Sequence, residues 1–149
     1  MLSTVSLNFD ADGAVQPVVL FLHSTGDKIE MGVVPIISMG TGDEKDMLSD
    51  AVKSLCKKLD VIALMFISEA YMATVDRRDV DTVVRGGLSN MENKVEVVLA
   101  TFETPFSSQM YSGEIMRDKK SPYMLPFKGP STTAEGRFSH LLAKRLIAN

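Results

Sequence analysis

Apolar and polar positions follow two different periods along this chain, and the changes of period mark out its elements. "AVQPVVLFLH" and "KIEMGVVPII" are short, β-rich runs separated by Ser24, Thr25, Gly26 and Asp27, a cluster of turn formers. Together they predict a β-hairpin. Pro17 and Pro35 cannot donate to a ladder, which places them at strand ends or on an edge. In "TGDEKDMLSDAVKSLCKKLD" the spacing becomes helical: Met47, Leu48, Ala51, Val52, Leu55, Cys56 and Leu59 share one face, with Asp50, Lys53, Ser54, Lys57 and Lys58 outside. Thr41 and Glu44 have the spacing of a capping box, with Asp43 as a competing N-cap. Acid at the start and two lysines at the end both suit the helix dipole.

"VIALMFISEAYMA", residues 61–73, is too apolar on every side for a surface helix and reads as a central strand. Strict alternation puts Val61, Ala63, Met65, Ile67, Glu69 and Tyr71 on one face, and Ile62, Leu64, Phe66, Ser68, Ala70 and Met72 on the other. "KVEVVLATFE" and "SQMYSGEIMR" predict a second hairpin across Thr104, Pro105, Phe106 and Ser107. Two loops remain: a polar one around residues 76–93, with a turn of helix near 79–84, and "DKKSPYMLPFKGP". Thr132 and Glu135 form a second capping-box pattern ahead of a C-terminal helix carrying Phe138, Leu141 and Leu142. The predicted order is β-β-α-β-β-β-α, an α+β fold with a helix laid on an antiparallel sheet. That order is similar to the profilin-like group, which includes the longin and roadblock modules; such a fold does not fix a function.

At 149 residues, 45% apolar and 23% charged, the chain has the size and composition of one globular domain spanning 1–149. A net charge of −3 gives no general attraction to nucleic acid or anionic membrane. No segment has the length and apolarity of a membrane span, and the start lacks the pattern of a signal peptide. One cysteine, Cys56, precludes an intrachain disulfide, and a cytoplasmic setting is expected. Cys56 lies on the apolar helix face, where an inert buried thiol is expected.

Chemistry has few footholds. His23, His140 and Cys56 are scattered, so no metal site and no cofactor is expected. Glu69, at the end of the central strand, suits a structural carboxylate that accepts hydrogen bonds or pairs with Arg77 or Arg78. The catalytic alternative is a hydrolase using Glu69 and Glu103, with the 76–93 loop as lid, which requires the two carboxylates to approach each other. The basic residues of the loops are diluted by Asp76, Asp79, Asp81 and Asp118, which argues against nucleic acid. For partner binding the candidates are Glu69, Tyr71, Arg77, Arg78, Tyr123 and Phe127. The last two sit in "PYMLPF", whose apolar side chains either cover the sheet or meet another chain.

"FISEAYMA" followed by "RRDVD", together with "NKVEVVLATFE", resembles small bacterial and phage-type proteins of uncharacterised function. Their pattern has a proline-containing hairpin, a "DEKD" helix start and a strand ending in Ser-Glu-Ala-Trp-Met. Ser68, Glu69, Ala70, Tyr71 and Met72 match that ending, with Tyr71 in place of the tryptophan. The resemblance implies no activity and no catalytic residue. The expectation is a non-catalytic binding or assembly module, a homo-oligomer or a binder of another protein, using a sheet edge or the "SPYMLPFKG" loop.

Overall fold

The computed structural model describes residues 2–36, 40–73, 76–79, 81, 92–131 and 142. Helix α1 spans Leu2–Asp12, strand β1 Val18–Thr25, β2 Lys28–Pro35, helix α2 Gly42–Lys58 and β3 Asp60–Met72. A single 3-10 turn at Arg77–Asp79 follows, then β4 Val95–Thr104, β5 Ser107–Met116, β6 Tyr123–Met124 and β7 Lys128–Ser131. All the pairings are antiparallel, and the strands lie in the order β2-β1-β3-β4-β5-β6, with β7 also pairing β5. The fold is α+β, as the periodicities predict.

Both hairpins form where turn residues require them. Gly26 takes a φ of 69°, open to glycine at little cost, in a two-residue turn joining Thr25 to Lys28. At the second turn, Thr104 Oγ1 accepts from the backbone N–H groups of Phe106 and Ser107, at 3.3 and 3.2 Å. In α2 the capping box closes on Thr41 and not on Asp43. Thr41 Oγ1 accepts from Glu44 N at 3.2 Å, and Glu44 Oε2 accepts from Thr41 N at 3.0 Å.

Alternation sorts the strands onto two faces. On the first, Val19, Phe21, Val61, Leu64 and Phe66 pack with Val52 and Cys56 of α2, and with Ile36 and Leu142. On the second, Met65, Ile67, Val98, Ala100 and Ile115 pack with Val5 and Phe9 of α1. Each helix thus closes a separate cluster on its own face of the sheet.

Four expectations are corrected. The N-terminal segment is a helix: Leu2, Val5 and Phe9 follow helical spacing, and Gly13, at φ 71°, ends it by donating to the Phe9 carbonyl at 2.6 Å. Strict alternation along β3 fails at its start, because a register shift opposite Leu22 and His23 moves Val61 into the cluster of Leu64 and Phe66. On α2, Met47 and Ala51 are exposed, Ser49, Val52 and Cys56 are buried, and Leu48, Leu55 and Leu59 are half-buried at the margin. Lastly, the loop after β5 carries two short strands. They run along the outer edge of β5, and Leu125 N donates to the Glu114 carbonyl at 2.8 Å. The C-terminal helix and the helical turn at 79–84 fall largely outside the described residues.

Candidate functional site

The register of β3 on β4 decides what the two glutamates can share. The strands are antiparallel neighbours, but Glu69 lies opposite Val98 while Leu64 lies opposite Glu103. Five positions separate the carboxylates along the ladder, roughly 17 Å, and the odd count sends them to opposite faces. The structure does not bring Glu69 and Glu103 together.

Each carboxylate has a partner of its own. Glu69 is exposed on the α1 face, and its Oε1 accepts from Val15 N at 2.8 Å. It thereby ties the segment after α1 to the sheet. Glu103 is fully buried on the α2 face. Its Oε2 accepts from Leu142 N at 2.8 Å, and its Oε1 from the Ser108 hydroxyl at 3.5 Å. A buried carboxylate that fixes a distant backbone amide is a structural anchor.

Around Glu69 the sheet carries charge. Arg117, just past β5, pairs with Glu96 of β4. The bond to Glu96 raises the Arg117 pKa, burial opposes this, and the charges of Glu96 and Glu69 add to the rise. Lys94 Nζ lies 4.8 Å from the centre of the Tyr71 ring. Tyr71 and Glu69 therefore belong to a solvated, mutually compensated corner. Arg78 pairs with Asp76 at 3.3 Å, both exposed, and Arg77 is exposed beside them. Neither arginine pairs with Glu69, whose donor is the Val15 backbone amide.

Phe127 packs inward, while Tyr123 is half-buried on the face opposite Met124. Met124 and Phe127 pack against the α1-face cluster, and Met124 N donates to Asp10 Oδ1 of α1 at 3.3 Å. Gly113 makes room for this, since a side chain there would meet the Met124 methyl. Desolvation raises the Tyr123 pKa, with a hydrogen bond to Asp118 adding to it, and Lys119 Nζ lies 4.6 Å from the ring centre. The apolar part of "PYMLPF" thus covers the sheet.

The feature that sequence reasoning missed lies at the opposite end. On β2, Ile29 is 65% exposed, Met31 64% and Val33 56%, with Leu22 of β1 beside them at 37%. Pairing of Leu22 with Met31 and of Leu20 with Val33 puts the stripe on the α1 face. A small apolar hollow between Leu20, Leu22, Met31, Ala63 and Phe102 adjoins it. The alternation in "KIEMGVV" was the available signal. What it lacked was knowledge of which face would be covered.

Among the described residues, no strand pairs with the outer edge of β2. Ile36 N donates to the Pro17 carbonyl at 3.0 Å, continuing the unbroken β1–β2 register. Antiparallel bonding alternates, so Lys28, Glu30, Gly32 and Val34 direct their amides and carbonyls at β1. Ile29, Met31 and Val33 direct theirs outward. The residues with exposed apolar side chains are therefore the residues with outward backbone groups. At the other end of the sheet, β6 and β7 occupy the edge of β5.

A second hollow, of about 290 Å³, opens among Met72, Asn93, Val97, Ser112, Glu114 and Lys128. Neither hollow is lined by Glu69 or Glu103. Among the described residues, no three His, Cys, Asp or Glu side chains gather as a metal site requires, and no helix is long and apolar enough to cross a membrane. Compared with known protein families, curated proteins and solved structures, the chain matches none.

Proposed function

We propose that this chain is a non-catalytic binding and assembly module that takes a protein partner along the β2 edge of its sheet. One observation carries the reading. Three large apolar side chains and the outward amides and carbonyls of an edge strand coincide on the same residues, Ile29, Met31 and Val33. Strand addition uses both: the backbone ladder supplies affinity, and alternate side chains supply specificity. The inward packing of Met124 and Phe127 favours this edge over the "SPYMLPFKG" loop as the contact surface. Kinship with the profilin-like group belongs to the same proposal, supported by the hairpin-helix-strand order of residues 18–72. So does the likeness of residues 68–72 to the bacterial and phage-type proteins, which adds no activity.

Residue-resolved amide hydrogen exchange on dilute protein tests the reading. The amides of Glu30 and Gly32 should be protected by β1, while those of Ile29, Met31 and Val33 exchange freely. Protection of all five in dilute monomer would mean that the edge is covered within the chain, and the module reading falls.

A further inference from the structure

We infer that the partner of the β2 edge is a second copy of this chain, paired antiparallel about a two-fold axis through Met31. The inference rests on the module reading and specifies its occupant. A two-fold interface sets the same strand against itself, so its residue pattern must read equally well in both directions. Centred on Met31, the stripe does so. Met31 faces Met31 of the second copy, and Ile29 faces Val33. All three are outward-bonding positions, so each facing pair exchanges both of its hydrogen bonds.

Other centres fit less well. Centring on Glu30 sets two glutamates directly opposite each other, a destabilising like-charge pair, and leaves Val33 against Asp27. Centring on Gly32 sets Ile29 against Pro35, which has no N–H to give. With Met31 at the centre, Glu30 meets Gly32 and Lys28 meets Val34, so no like charges are opposed. Pro35 falls opposite Asp27 in the turn, just where the ladder ends.

The two apolar stripes then lie side by side on the same face of one continuous sheet. A contact of one strand on one strand is small beside the roughly 800 Å² per partner of a standard interface. The dimer is therefore weak, and its population depends on concentration.

Three measurements on the full chain test this. Sedimentation across a concentration series should show reversible dimerisation, with protection of the Ile29, Met31 and Val33 amides rising in step. In a Cys56→Ser background, Met31→Cys should link to itself with a short bifunctional thiol-alkylating reagent, the Cα atoms lying about 5.5 Å apart. Ile29→Cys alone should link poorly, being roughly 14 Å from its own copy, yet should link well when mixed with Val33→Cys. Met31→Pro removes only an outward N–H, so the monomer should stay folded while dimerisation is lost. Met31→Lys serves the same purpose if the proline variant misfolds.

A wild type that stays monomeric at all concentrations, with its edge amides free, overturns self-pairing but leaves the edge open to a different strand. A dimer that survives Met31→Pro or Met31→Lys overturns it as well. So does efficient self-linking of Ile29→Cys without Met31→Cys, which would mean another register.

Discussion

Of the two glutamates, stability rests on the one that looked incidental. Glu69 is exposed and accepts one backbone hydrogen bond, which Gln can still accept. Glu69→Gln should therefore shift the unfolding free energy by less than about 1 kcal/mol, because exposed charge-assisted bonds contribute little. Glu103 is fully buried and holds the Leu142 amide. Glu103→Ala should cost about 3 kcal/mol in chemical denaturation, from a cavity and an amide left without its acceptor. Equal effects of the two substitutions would contradict this ordering. Gly32 offers a second contrast. The Phe21 ring lies across it, and a methyl group there would overlap the ring. Phe21 is itself buried beneath α2, so Gly32→Ala should cost roughly 1 to 3 kcal/mol. Phe21→Leu in the same molecule should recover part of that loss, as a double-mutant cycle would show.

At the scale of elements, what was legible depended on whether the chain's own pattern or its neighbours decide the structure. Helix α2 was visible because its periodicity, capping box and terminal charges agree. Helix α1 was not, because Ser3, Thr4, Val5, Ser6 and Asn8 are weak helix formers. Its stability comes from Val5 and Phe9 packing on the sheet, mainly against Met65, Ile67, Val98, Ala100 and Ile115, more than fifty residues away. The exact face of α2 was likewise beyond reach, since seven apolar positions span more arc than one sheet can cover. Val52 is buried while Leu55 is half-buried. Val52→Ala should consequently cost about 2 kcal/mol, with Leu55→Ala below the roughly 2 to 5 kcal/mol of a core leucine. Thr41→Ala should cost about 1 kcal/mol by removing the acceptor for Glu44 N, read from the shift in denaturation midpoint.

For the whole molecule, strand existence follows from hydrophobic runs and short connections, so both hairpins and the central strand could be read from the sequence. Register could not. Whether Glu69 met Glu103 depended on which residues of β3 and β4 stand opposite each other. No tight turn joins β3 to β4, so their register is set by the packing of both faces together. The Ile29, Met31 and Val33 stripe was hidden for a related reason: apolar alternation is the same for a covered face and a bare one. Only the placement of the helices against their separate clusters tells them apart.

The short strands beyond β5 have a consequence for growth. With β6 and β7 laid along β5, the long exposed strand edge among the described residues is that of β2. In the proposed two-fold pairing each copy spends its β2 edge on the other, so that edge is not left open to a third chain. A segment that reads as a mere connection in the sequence thus covers the far edge of the sheet and leaves β2 as the contrasting, exposed one.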